Sequence, residues 1–338
     1  MFSFLILSFL SGVIELGSAY IGIIHELPVC LILMLPLFYQ TGNLMISVLP
    51  RRLLLNVIFT GIVCFLSIIY YICPNFWILA VELAFSSYCI QFMRACHKSS
   101  CPTWLKRSFR IAGFALSPIM LCNDGQIIFF FSALFCIFLI IKDTVAHRES
   151  KIISQGKKTQ ITGISMVMIF HQMHYFVYTY IMPIFIYTLT KSIIMSSLVF
   201  SVTWIVYLLP QTIAEKFNIV NYKKMFFFCH FFLGVCMAII AVSAYFHNTT
   251  FVLLFWILTG LGGGSVFCIK HLCKRYESMN MDFSENIGHF VGPLIAVLFC
   301  CMTTEYVFIV LPAISCVFVI IALILSLHIV NKEYNYEK

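Results

Sequence analysis

Residues 53–73 read LLLNVIFTGIVCFLSIIYYIC, an uninterrupted stretch without a single charged side chain. As a helix, at 1.5 Å per residue, it reaches about 30 Å, the thickness of a bilayer's hydrocarbon core. A membrane barrel strand would be about half as long and would alternate apolar and polar side chains, which this stretch does not. Runs of the same kind recur along the chain. They predict spans near 2–24, 28–49, 53–73, 76–95, 108–122, 126–142, 162–189, 192–210, 224–245, 250–271, 284–302 and 306–330. The composition agrees with them. The 338 residues are 62% hydrophobic and 10% charged, with a mean hydropathy of +1.00. A soluble chain carries roughly a quarter of its residues as charges, and this one lacks the polar surface to coat a globule in water. The expectation is an all-α membrane protein of about twelve transmembrane helices in two six-helix pseudo-repeats. The first run has no basic residue before it and no small-residue cleavage site after Tyr20, so it is expected to be a retained span.

The basic residues orient the spans. With both ends on one side, the loops on that side hold Arg51 and Arg52, then Arg94, Lys98, Lys106, Arg107 and Arg110. They also hold Lys142, Arg148, Lys151, Lys157 and Lys158, then Lys216, Lys223 and Lys224, then Lys270, Lys274 and Arg275, and finally Lys332 and Lys338. Only Lys191 of the 21 Lys and Arg residues falls opposite. The positive-inside rule puts both termini in the cytoplasm, in the plasma (cell inner) membrane. The net charge of +8 is therefore a topology signal directed at membrane lipids and gives no ground for a nucleic-acid partner. The hydrophilic stretch 143–160 reads as a cytoplasmic central loop between a half at 1–142 and a half at 161–338.

The two halves echo each other. Gln40-Thr41-Gly42-Asn43-Leu44, followed by Arg51-Arg52, is answered by Gln211-Thr212-Ile213-Ala214-Glu215-Lys216, followed by Lys223-Lys224. Arg110-Ile111-Ala112-Gly113 and the run to Ser117-Pro118 in span 5 are answered in span 11. There Glu285-Asn286-Ile287-Gly288-His289 leads to Gly292-Pro293. Small residues four apart make a flat face for close helix approach, and the proline permits a bend.

This pattern resembles the major facilitator superfamily, in which twelve spans form a 6+6 repeat with a cytoplasmic central loop. Gly42, Leu44 and Arg51 sit on positions of that family's loop signature after span 2, while Ile46 and Ser47 replace its Asp and Arg. Ile213-Ala214-Glu215-Lys216 is similar to the signature's Leu-Ala-Asp-Arg. Gly113 to Pro118, and more fully Gly288 to Pro293, resemble the span 5 motif of the family's exporters. The resemblance implies a secondary active transporter that works by alternating access, with a small-molecule substrate held between the halves. It also implies no enzymatic activity. Proton-coupled export of a small organic molecule is the first expectation, and uptake of a nutrient or metal chelate is the rival. A non-transporting membrane sensor or scaffold is the third reading. A monomer is expected, with protons or another ion as the coupling partner.

Acids inside spans cost about 2.5–3.5 kcal/mol at a helix centre on insertion scales, and so face protein or water. Glu15 lies mid-span with Ser11 and Ser18 on its face, and Glu82 is followed by Ser86 and Cys89. Each reads either as an internal hydrogen bond that fixes packing or as a carrier of protons. His171, His174 and Tyr178 share a face of span 7, and histidine suits protons, anions or metals. Tyr175, Tyr180, Trp204 and Tyr207 line a cavity or simply pack. Glu285, His289 and Arg110 read as helix-end charges or as a network that breaks and reforms. Glu215 with Lys216, and Arg51 with Arg52, are candidates for bridges between cytoplasmic helix ends.

The 15 cysteines lie mostly in apolar runs, as small hydrophobes do. Cys96-His97 with Cys101, and Cys268 with His271 and Cys273, match no zinc spacing, so no metal ligand is assigned. Asn248-Thr249-Thr250 fits a glycosylation sequon. No phosphate-binding glycine loop followed by Lys-Ser/Thr is present, and no cofactor is expected.

Overall fold

The computed structural model describes residues 2–49, 53–96, 103–121, 125–145, 163–219, 221–274, 281–302 and 306–334. Arg51, Arg52, most of the central loop and the Cys96–Cys101 segment beyond Cys96 lie outside the described residues. The chain divides into two compact units, Met1–Gly156 and Lys157–Lys338.

Unit 1 holds α1 (Phe2–Ile24), α2 (Val29–Val48), α3 (Leu53–Ile72), α4 (Phe76–Cys96), α5 (Thr103–Leu121) and α6 (Gly125–Val145). Unit 2 holds α7 (Gly163–Thr179), α8 (Ile181–Thr190), α9 (Ile193–Val206), α10 (Leu209–Lys216), α11 (Tyr222–Tyr245), α12 (Thr249–Gly264), α13 (Val266–Lys274), α14 (Met281–Met302) and α15 (Val307–Tyr334). Three pairs in unit 2 are spans interrupted by one or two residues, so each unit contributes six spans. Two of the interruptions have a proline cause. Pro183 has no N–H for the carbonyl of Thr179, where α7 ends, and Pro210 has none for Val206, where α9 ends. The third follows Gly262-Gly263-Gly264, where the Ser265 hydroxyl donates to the Gly262 carbonyl at 2.5 Å.

Nine of these stretches are long and apolar enough to cross a membrane. α5 is more polar because it carries Lys106, Arg107 and Arg110, α6 has a shorter apolar part at Ile127–Lys142, and α7 carries His171, Gln172 and His174. The chain is a multi-pass helical membrane protein.

α3 shows how a lipid-facing helix is patterned. Its buried residues are Asn56, Thr60, Val63, Ser67 and Tyr70, whereas Val57, Ile58, Phe65, Ile68 and Ile72 are exposed. The polar stripe turns inward because lipid offers no hydrogen bonds. It meets α4 in one antiparallel register. Asn56 Nδ2 donates to Met93 Sδ at 3.4 Å, Thr60 to Cys89 Sγ at 3.4 Å, and Ser67 to Glu82.

The same packing scheme occurs in both units. α1 lies on α5, α2 on α4, and α3 on α4 and α6. In unit 2, α7 lies on α14, α9 on α12, and α11 on α12 and α15. The first pair in each set crosses with its backbones close together. A Cβ on Gly12 would strike the backbone of Arg110, and one on Gly113 would lie 2.9 Å from Val13 N. Likewise a Cβ on Gly288 would strike the Ile169–Gln172 turn, and one on Gly292 would lie 2.8 Å from Phe176 Cβ. The small-residue motifs of spans 5 and 11 are thus the surfaces that seat spans 1 and 7, with Pro118 and Pro293 inside otherwise continuous helices. Gly42 plays the same part between α2 and α4, packed on Ala84, Ser87 and Tyr88.

Candidate functional site

Unit 1 gathers its charge at the α1–α5 crossing. The Arg110 guanidinium pairs directly with the Glu15 carboxylate, which is only 2% exposed. Ser11, one turn before Glu15, shares a hydrogen bond with the Tyr39 hydroxyl at 2.9 Å. From α4, Arg94 reaches the Gln91 side chain at 3.0 Å and Ser11 Oγ at 3.5 Å. Four helices thus send polar side chains to one buried locus. A guanidinium is always charged and supplies a planar fork of donors, which suits it to hold a carboxylate inside a span. Next to this locus, Ser87 donates to Asn43 Oδ1 at 2.8 Å, and Asn43 donates to Gln40 at 2.6 Å, tying α2 to α4.

Glu82 is built differently. It is fully buried, accepts from Ser67, and leaves its second oxygen, Oε2, without a partner. No cation among the described residues pairs with it. Ser86, one turn on, also lacks a partner. It lines a small cavity of about 10 Å³ together with Thr60, Cys89, Ser132 and Cys136, room for about one water molecule.

Unit 2 places its histidines in an arrangement that the sequence does not announce. His171 and His174 of α7 turn towards His230 of α11, and all three are buried. His171 Nδ1 lies 2.6 Å from His230 Nε2, and His174 Nε2 lies 3.3 Å from each of these two atoms. His230 is the member that sequence reasoning missed. It stands 56 residues beyond His174 in an apolar run, where one histidine reads as a core residue, and only the α7–α11 packing reveals it. Tyr178, two turns along α7 from His171, packs edge-on against Trp256 of α12 at 5.2 Å.

Tyr175, Trp204 and Tyr207 form one aromatic group with centroids 4.9–6.0 Å apart. It is seated on Gly263, where a Cβ would lie 2.7 Å from the Tyr175 ring. Tyr180 belongs elsewhere, against Phe176 at 5.8 Å.

The remaining candidates resolve into local contacts. His289 Nε2 meets Gln172 Oε1 at 3.0 Å, and its ring lies on Phe176 at 4.1 Å. Glu285 pairs with Lys270 of α13 at 2.6 Å. Arg110 and Glu285, which match in the repeat, therefore each have a partner inside their own unit. Glu215 accepts from Gln211 of its own helix at 2.7 Å, and Lys216 lies over the neighbouring Phe217 ring at 6.0 Å. Among the described residues neither forms an ion pair with another helix, and Gln211, one turn earlier in α10, takes up Glu215. Asn248 of the sequon caps α12, accepting from Phe251 N–H at 3.2 Å.

No protein-family model matches this sequence, and no curated protein matches it. Solved structures do match in fold. A bacterial homologue of the iron transporter ferroportin, in an outward-facing state, aligns over 96% of this chain and 98% of its own, with 11% identity and a TM-score of 0.64. The nucleoside transporter NupG aligns over 96% and 98%, with 12% identity and a TM-score of 0.65. A bacterial metal transporter aligns over 96% and 97%, with 12% identity and a TM-score of 0.63. The chain has the twelve-span, two-unit fold of the major facilitator type, in a divergent form.

Proposed function

We propose that the chain is a secondary active transporter of a small organic molecule, working by alternating access, with both termini cytoplasmic in the plasma membrane. The observation that carries this reading is the Glu15–Arg110 pair, joined by Tyr39 and Arg94, inside membrane-spanning helices. Intramembrane charges are expensive to insert and mark substrate or ion pathways. A purely structural helix crossing needs only the glycines already present there. The fold neighbours named as transporters support the same class.

Export is the direction we favour, from the likeness of spans 5 and 11 to the exporter motif. Coupling to protons falls to Glu82 in preference to Glu15. Glu15 cannot exchange a proton without breaking its ion pair, whereas Glu82 exchanges one beside the Ser67 hydroxyl, with its Oε2 unpartnered, one helix turn from Ser86 and the water-sized cavity that Ser86 lines. The test is flux in proteoliposomes. Glu15→Gln is expected to abolish flux under any driving force. Glu82→Gln is expected to keep substrate exchange and lose pH-gradient-driven accumulation. Unchanged flux in Glu15→Gln removes the ionic network from the mechanism.

A further inference from the structure

We propose that His171, His174 and His230 form a binding site for a resident divalent transition metal of the zinc type, enclosed within unit 2. This site is separate from the ionic network of unit 1, and its argument does not depend on the transport reading.

Geometry is the first ground. Two ligand nitrogens on a tetrahedral metal, each at about 2.0–2.1 Å, stand about 3.3 Å apart. His174 Nε2 is 3.3 Å from both of the other ring nitrogens. The third separation, His171 Nδ1 to His230 Nε2, is 2.6 Å, the length of a direct hydrogen bond. It opens by roughly 0.7 Å when a metal takes the place of that bond.

The second ground is the tautomer of His230. Its Nδ1 lies 3.2 Å from the carbonyl oxygen of Phe226, which can only accept, and 3.0 Å from Ser265 Oγ. The Ser265 proton is already directed at the Gly262 carbonyl. Nδ1 of the neutral ring therefore carries its hydrogen and donates it, which leaves Nε2 bare and aimed at the other two histidines. Metal-bound histidines are held in this way, with the distal N–H fixed by a carbonyl or hydroxyl. Without a metal, His171 Nδ1–H donates to the bare Nε2. On binding, the His171 proton moves to its own Nε2, Nδ1 becomes a ligand, and water takes the fourth position.

Ser265 interrupts span 10 between α12 and α13. A metal held here joins spans 7 and 9 and, through Ser265, fixes the interruption in span 10. Full burial of the three rings suits a resident ion over a passing one.

The experiment uses the full chain, purified without a polyhistidine tag, stripped with a chelator and titrated with Co²⁺. Wild type is expected to retain Co²⁺ stoichiometrically, with the visible bands of a four-coordinate ion and no sulfur-to-metal charge-transfer band, and its thermal midpoint is expected to rise with Zn²⁺. His230→Gln is expected to abolish binding. Ser265→Ala, which leaves all three ligands in place, is expected to weaken it about 10–100-fold. His25→Gln, on an exposed residue outside the cluster, is expected to bind as wild type does. The proposal is overturned by a wild type that retains no Co²⁺, by a thiolate spectrum, by binding that survives in His230→Gln, or by unchanged affinity in Ser265→Ala. The last comparison holds even if His230→Gln fails to fold.

Discussion

At the α1–α5 crossing of unit 1, Gly12 and Gly113 bring two backbones together, and beside them stand Glu15 and Arg110 as an ion pair. At the matching α7–α14 crossing of unit 2, Gly288 and Gly292 do the same work, and beside them stand Gln172 and His289. The steric solution is shared while the electrostatic one is not. Close packing of helices in lipid needs only small residues and van der Waals contact, so it survives a change from an ion pair to a His–Gln hydrogen bond. The seam itself does not call for the ionic pair, which accords with the proposal that unit 1 handles a charged or protonated partner.

Three sets of substitutions put this contrast under strain. The largest effect is expected from Gly113→Val and Gly288→Val. A side chain there meets backbone that cannot withdraw, so both variants should lose more than about 4 kcal/mol and elute as aggregates. Size-exclusion of the detergent-solubilised chain reads this directly, and a well-folded variant of either would show that its seam is looser than described. Next, Arg110→Gln strands the Glu15 charge and should destabilise by about 3–5 kcal/mol, whereas the double variant Glu15→Gln with Arg110→Gln should recover most of that loss. Thermal midpoints of the four members of the cycle would check it. If the double variant is no more stable than the single one, the pair does more for the fold than this comparison allows.

The smallest effects belong to unit 2. His289→Ala removes the hydrogen bond to Gln172 and should cost about 0.5–1.5 kcal/mol. Lys270→Met opens a half-exposed pair, 44% and 20% exposed on its two sides, and should cost about 1 kcal/mol or less. A loss in His289→Ala as large as that in Arg110→Gln would erase the distinction between the seams.

Much of this architecture is legible in the sequence, because a span must be long, apolar and flanked by asymmetric charge. The seams are also legible, as glycines four apart with a following proline. Glu15 stands out as an acid in an apolar run, although its partner does not. Arg110 reads as a helix-end charge or as part of a network with Glu285 and His289, and Arg94 only as one of the cations that set topology; neither reading points to Glu15. Their role depends on α1 lying between α4 and α5, which no local pattern encodes. His230 was hidden for the same reason. The interruptions of spans 7 and 8 were there to be read, since Pro183 and Pro210 each remove the bond to a carbonyl four residues earlier. The hydropathy runs pass over both without a dip.

The outward face of α3 carries a final consequence. Val57, Ile58, Phe65 and Ile68 turn about half of their surface outward, and the surrounding lipid asks of that half only oiliness and bulk. Such positions are interchangeable letters, and a chain that spends much of its length on them can drift through spellings without altering its form. The inward stripe and the glycine crossings hold the architecture, and they amount to few residues. That is how a molecule can superpose on known structures over nearly its whole length while sharing little more than one residue in ten with them.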